Sequence, residues 1–264
     1  MCKFLFLLLV FSLWTSQSIA NDMIFKDSAG NVLTKSDLKG FSGTLSWEIQ
    51  SEKTVSKIAM ENHQKGRQYG QKGDYKNSLK YLKQACEADP SWAYPRYDMA
   101  YTYMLMGDSN KAFELYKKVD SMAPRGFFTT KTAIYTLDGE AKGLFPKGLY
   151  MAFLSLEWME AKKKSEAVLN IVNKVPSYAP GWKEVVSLSG NDEAALSAID
   201  NGLKAKPDLE TYGILMINKA LILHKNGKVK EAINILGELS LNKSSSLATE
   251  KIAKQTLSHL LDSK

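Results

Sequence analysis

The chain has 264 residues, of which 44% are hydrophobic and 24% are charged, and its formal net charge is +7. This balance is typical of a folded globular protein and excludes wholesale disorder and a polytopic membrane protein. The two cysteines are too few for a disulfide framework or a multi-cysteine zinc domain.

Residues 1–20 have the pattern of a secretory signal peptide. Lys3 supplies the positive charge, an apolar run follows over 4–14, and Ser18-Ile19-Ala20 forms a small-x-small cleavage site. The run is about half of the ~20 residues that a membrane-spanning helix needs. The sequence therefore predicts export to the periplasm of a Gram-negative bacterium, with secretion as the alternative, and no integral membrane insertion.

Residues 21–52 differ in pattern from the rest of the chain. Leu45, Trp47 and Ile49 alternate with polar residues, which is typical of a strand, and 28–31 reads as a turn. We predict a short N-terminal β-hairpin or extended segment that packs as a cap on the downstream part of the chain. A loosely ordered leader is the alternative.

An internal repeat relates residues 59–92 to residues 93–126. The matching positions are Gly66 and Ala100, Tyr69 and Tyr103, Gly73-Asp74 and Gly107-Asp108, Ser78 and Ala112, Leu82 and Tyr116, and Pro90 and Pro124. Small residues let two helices approach closely, and a glycine followed by an aspartate ends one helix and caps the next. A proline then stops the second helix. Each unit is thus predicted to be a helical hairpin.

These two units resemble the tetratricopeptide repeat. Weaker units follow over 127–144, 148–180, 181–207 and 209–240. The resemblance implies an all-α fold, a solenoid of helical hairpins over 53–245, with a capping helix over 246–264. Such an array is expected to form one elongated domain.

The resemblance also implies that the first helices of the hairpins line a concave groove that binds a partner. The groove positions are His63, Arg67, Tyr94, Tyr97, Tyr101, Met104, Phe128, Lys131 and Tyr135. The groove is therefore predicted to be aromatic and basic, suited to a carboxylate or another anion. For each aromatic residue, packing between helices is the alternative. His63, Arg67 and Asp98 stand where the family's carboxylate clamp has Lys, Asn and Asn, so chaperone-tail binding is not inferred.

The sequence offers little for catalysis. Three histidines stand far apart, Cys86 is expected to be a buried small hydrophobe, and no phosphate-binding loop follows a strand. Glu157 and Glu160 are expected to share a helix face, as solvated pairs often do. No cofactor and no metal are predicted, and nucleic acid is disfavoured because acidic residues interleave with the basic ones.

The sequence therefore favours a non-catalytic scaffold of the bacterial envelope that binds a protein or peptide partner. Two alternatives stay open at this point: an enzyme or enzyme accessory acting on cell-envelope polymer, and a module that binds a small anion. The oligomeric state is not indicated.

Overall fold

A computed structural model describes residues 22–26, 32–33, 46–50, 55–241 and 244–262. The predicted signal peptide and the predicted turn at 28–31 lie outside these residues. Strands β1 (Asp22–Lys26), β2 (Val32–Leu33) and β3 (Ser46–Gln50) form an antiparallel sheet in the order β2-β1-β3. Phe25 pairs with Trp47 and with Leu33. That this segment caps the first hairpin stays a prediction.

Twelve α-helices follow in the described part of the chain. They are α1 (Lys57–Gln71), α2 (Tyr75–Ala88), α3 (Ala93–Leu105), α4 (Ser109–Met122), α5 (Thr130–Ala141), α6 (Leu149–Leu154), α7 (Ala161–Lys174), α8 (Ala179–Leu188), α9 (Asp192–Lys204), α10 (Leu209–Lys225), α11 (Val229–Leu241) and α12 (Leu247–Asp262). A 3₁₀ turn over Ser155–Trp158 continues α6. No helix in this part of the chain is long and apolar enough to cross a membrane.

The hairpins α1–α2 and α3–α4 form as the repeat predicts. Gly73 and Gly107 adopt positive φ values of 76° and 80°, which ends the first helix of each hairpin. Asp74 and Asp108 then cap α2 and α4 by accepting backbone N–H bonds of 3.1 and 3.0 Å. A Cβ atom on Gly66 would lie 2.7 Å from Leu82 Cγ, which confirms the predicted close approach of α1 and α2.

The later units depart from the repeat. Helix α5 begins only at Thr130, because Phe127 and Phe128 before it turn into a buried cluster with Val119 and Ala123. Phe128 adopts a φ of 49° there. Helix α6, the first helix of the unit predicted over 148–180, has only 6 residues.

Nearest-neighbour stacking does not account for all contacts in the array. The Arg125 guanidinium donates to the Ser245 carbonyl and pairs with Glu250, and Leu247 N donates to the Arg125 carbonyl at 3.0 Å. The Thr132 hydroxyl on α5 also donates to the carboxylate of Asp208, the residue that caps α10, at 3.2 Å. The start of α12 therefore returns to the loop between α4 and α5, a contact that stacking of neighbouring hairpins alone does not predict.

Candidate functional site

The site is built on one face of α3. Tyr94, Tyr97 and Tyr101 follow one another at intervals of three and four residues, and Asp98 lies four residues after Tyr94 and three before Tyr101, which places these residues along one side of the helix. The helix is anchored at its start, where the Arg96 guanidinium donates to the Pro90 carbonyl at 2.8 Å. We call the surface formed by Tyr94, Asp98 and Tyr101 the α3 face.

Tyr94 links α1 to α3. Its ring lies 4.5 Å from the His63 ring and 5.0 Å from the Phe128 ring, and the Arg67 guanidinium lies over it at 5.7 Å. Burial, together with the nearby Asp98 carboxylate, raises the pKa of Tyr94 to about 12. The tyrosine is therefore a neutral, partly buried hydrogen-bonding group at ordinary pH.

His63 and Arg67 both reach Asp98. His63 Nε2 lies 2.8 Å from Asp98 Oδ2 and is buried, whereas Arg67 Nε lies 3.7 Å from the same oxygen and keeps 52% of its side chain exposed. One carboxylate thus serves both of these predicted groove positions.

Three of the predicted groove residues pack against neighbouring side chains: Met104 and Phe128 are buried, and Tyr97 is partly buried. The Tyr97 hydroxyl contacts Thr129 Oγ1 at 2.9 Å, and its ring contacts Phe127 and Phe128 at 5.7 and 5.0 Å. Met104 and Phe128 are exposed by only 5% and 6%. Burial raises the pKa of Tyr97 well above its ordinary value. The structure thus shows packing contacts for all three side chains. Their role in binding a partner stays a prediction.

The two remaining predicted residues lie on α5. Lys131 Nζ pairs with Asp120 Oδ1 at 2.7 Å. The Tyr135 ring packs 5.4 Å from Phe145, and its hydroxyl donates to the Ala205 carbonyl at 3.3 Å. Both side chains therefore tie α5 to its neighbours.

Tyr101 faces a segment that sequence reasoning did not include in the site. Its ring lies 6.2 Å from the Trp158 ring on the 3₁₀ turn, and 55% of Trp158 is exposed. The Glu157 carboxylate is close enough to raise the pKa of Tyr101, together with burial, which is the larger cause. Glu157 and Trp158 therefore extend the α3 face.

The structure corrects the prediction that Glu157 and Glu160 share a helix face. Glu157 lies in the 3₁₀ turn, while Glu160 is the residue before α7 and has extended backbone angles of −60° and 148°. The two carboxylates are thus separated by the end of one element and the start of the next. No local pattern indicates where α6 gives way to the turn, so this position had no usable sequence signal.

The described residues hold no group of three or more His, Cys, Asp or Glu side chains placed to bind a metal ion. Cys86 is partly buried, and burial raises the pKa of its thiol. Its Sγ lies 4.0 Å from Met99 Sδ, which is a packing contact.

Several solved structures resemble the chain at low sequence identity. Residues 41 to the end of MamA from Desulfovibrio magneticus RS-1 are 13% identical, cover 80% of this chain and 99% of their own, and give a TM-score of 0.31. TTC0263, a thermophilic TPR protein of Thermus thermophilus, is 16% identical over 77% of this chain and 98% of its own, with a TM-score of 0.32. The TPR2AB domain of yeast Sti1 in complex with pHSP90 is 15% identical over 78% and 87%, with a TM-score of 0.36.

No curated protein matches the chain in sequence. A family model for the tetratricopeptide repeat matches residues 62–91 and 93–125. These two stretches coincide with the hairpins α1–α2 and α3–α4, whose glycine turns and aspartate caps repeat in register. On this sequence match and this geometry, residues 62–91 and 93–125 form two tetratricopeptide repeats.

Proposed function

We propose that this protein is a non-catalytic interaction module of the bacterial envelope, which binds a segment of a partner protein along the α3 face. Tetratricopeptide repeats are in general protein-interaction modules. The observation that carries the proposal is the α3 face itself. It joins the exposed part of Arg67 to the partly buried rings of Tyr94 and Tyr101 and to the exposed ring of Trp158.

Aromatic rings on a helical scaffold suit this role because they offer a large contact area with few rotatable bonds. Tyr94 is held by His63 and Phe128, so its position is set before any partner binds. Such preorganisation lowers the entropy lost on association. The proposal includes residues 21–52 as a cap of the first hairpin and a groove that is concave along the first helices.

Site-specific photo-crosslinking tests the binding surface. A photoreactive phenylalanine analogue is placed at Tyr101 on the α3 face or, as a matched control, at Tyr81 on α2, which stacks on Tyr69 at 5.4 Å. We expect a discrete adduct in native cells from position 101 and none from position 81. Equal adducts from both positions, or none from position 101 in a folded protein, would contradict the proposed surface.

The proposed location needs its own test. If residues 1–20 are removed on export, the protein recovered from the periplasmic fraction should begin at Asn21. Fractionation with N-terminal mass analysis measures this directly. A cytoplasmic protein that retains Lys3 would contradict the proposed envelope location. The binding surface would then still be tested by the crosslinking experiment.

A further inference from the structure

The basic residues predicted for the groove already have acidic partners. His63 and Arg67 both reach Asp98, at 2.8 and 3.7 Å, and Lys131 reaches Asp120 at 2.7 Å. Each of these carboxylates reduces the attraction of its partner for an incoming anion. The groove therefore attracts an anion less strongly than the sequence predicts.

Glu157, by contrast, is an acidic residue without a direct basic partner among the described residues. Its side chain is exposed, and within the described part of the chain no cation lies at ion-pair distance from its carboxylate. The cations that act on the Glu157 carboxylate through space are Lys183 and Lys164. Their Nζ atoms bind Glu184 instead, at 3.1 and 2.9 Å. Two lysines therefore share one buried glutamate, and Glu157 is left beside them without a direct contact.

The protein around Glu157 reduces the hydration of its carboxylate. The side chain reaches solvent, but the surrounding protein displaces part of its hydration water. Partial burial therefore raises the pKa of the Glu157 carboxyl, whereas the positive charges of Lys183 and Lys164 lower it. A carboxylate in such surroundings gains more from a direct cationic partner than a fully hydrated one does.

Two aromatic rings stand next to this carboxylate. Trp158 is its neighbour in the chain, and the Tyr101 ring lies 6.2 Å from the Trp158 ring with an angle of 73° between their planes. Indole is the strongest cation-π acceptor among the side chains, and here 55% of the residue is open to solvent. An exposed carboxylate thus neighbours an exposed indole, whose ring contacts Tyr101.

We infer that Tyr101, Glu157 and Trp158 form a subsite for an arginine side chain of the partner segment, an inference that rests on the proposed function. A planar guanidinium can stack on an aromatic ring while it donates to a carboxylate, and unlike an imidazole it stays charged at every ordinary pH. The partner is accordingly a segment with an exposed arginine, rather than the carboxylate expected from the sequence.

A titration of the isolated protein tests the subsite without knowledge of the partner. The probe is an acetylated, amidated peptide of three Gly-Arg units, and the control probe carries citrulline, the neutral isostere, in place of each arginine. The signal is the indole N–H resonance of Trp158, assigned among the five tryptophans with Trp158→Phe. Because the chain has a formal net charge of +7, a cationic probe is repelled by the molecule as a whole.

We expect the arginine peptide to shift the Trp158 resonance saturably, and Glu157→Gln to weaken this binding roughly fivefold, as for a partly exposed ion pair. Glu160→Gln, three residues away and exposed, is the matched control and should leave the affinity unchanged. An equal response to the citrulline peptide, no response at all, or equal loss with Glu160→Gln would overturn the inference. A crosslink from position 101 would still support the proposed function in that case, so the two failures are distinguishable.

Discussion

Tyr97 and Tyr101 lie on the same side of α3 but are predicted to respond differently to truncation. The Tyr97 ring has partners at 5.7, 5.7 and 5.0 Å, namely Tyr116, Phe127 and Phe128, and its hydroxyl contacts Thr129. Tyr97→Ala should therefore cost about 3 kcal/mol of unfolding free energy, the lower end for a large aromatic residue. Tyr97→Phe removes only the hydroxyl contact and should cost about 1 kcal/mol.

Tyr101→Ala is the matched comparison, because its ring has one aromatic partner, Trp158, and is partly exposed. We expect a cost of about 1–2 kcal/mol, from the loss of one aromatic pair and of a partly buried apolar surface. Urea unfolding followed by circular dichroism measures all three variants under the same conditions. If Tyr97→Ala is no more destabilising than Tyr101→Ala, then Tyr97 does not hold the α3–α5 junction and the reasoning is refuted.

Two further predictions concern α10. Burial raises the pKa of Glu210 well above its ordinary value of 4.5, so the folded state keeps a proton that the unfolded chain releases, and stability should fall as the pH rises above about 4.5. Glu210→Gln should make the melting temperature less dependent on pH between about 5 and 8, and an unchanged slope would contradict this. A Cβ atom on Gly213 would lie 1.9 Å from Thr249 Oγ1. Gly213→Ala should therefore lower the free energy of unfolding in urea by about 1–3 kcal/mol, and part of this loss should be regained when Thr249→Ala is added. If the effects of the two substitutions simply add, the predicted clash between these residues does not occur.

The two hairpins that carry the family match could be predicted from the sequence because their signals are local. A glycine at positive φ followed by a capping aspartate acts within one turn of the chain, as Gly73-Asp74 and Gly107-Asp108 do. Helical spacing likewise placed Tyr94, Tyr97 and Tyr101 on one side of α3. These features need no knowledge of distant residues.

The ion pairs and ring contacts of the site join residues that are far apart in sequence. The sequence marks His63 and Arg67 as groove positions, but only the structure brings both of them to Asp98, because the register between α1 and α3 is set by packing. The same holds for Trp158, which reaches Tyr101 only because α6 ends early and a 3₁₀ turn follows.

The chain by itself therefore determined the helical hairpins, their turns and the candidate aromatic face, since these follow from backbone conformation and side-chain periodicity. Tertiary structure alone decided which charges are neutralised and which remain available. It also brought Arg125 to Glu250, a contact that a nearest-neighbour array does not predict. The physical reason is that electrostatic pairing acts through space, whereas helix propensity and capping act along the chain.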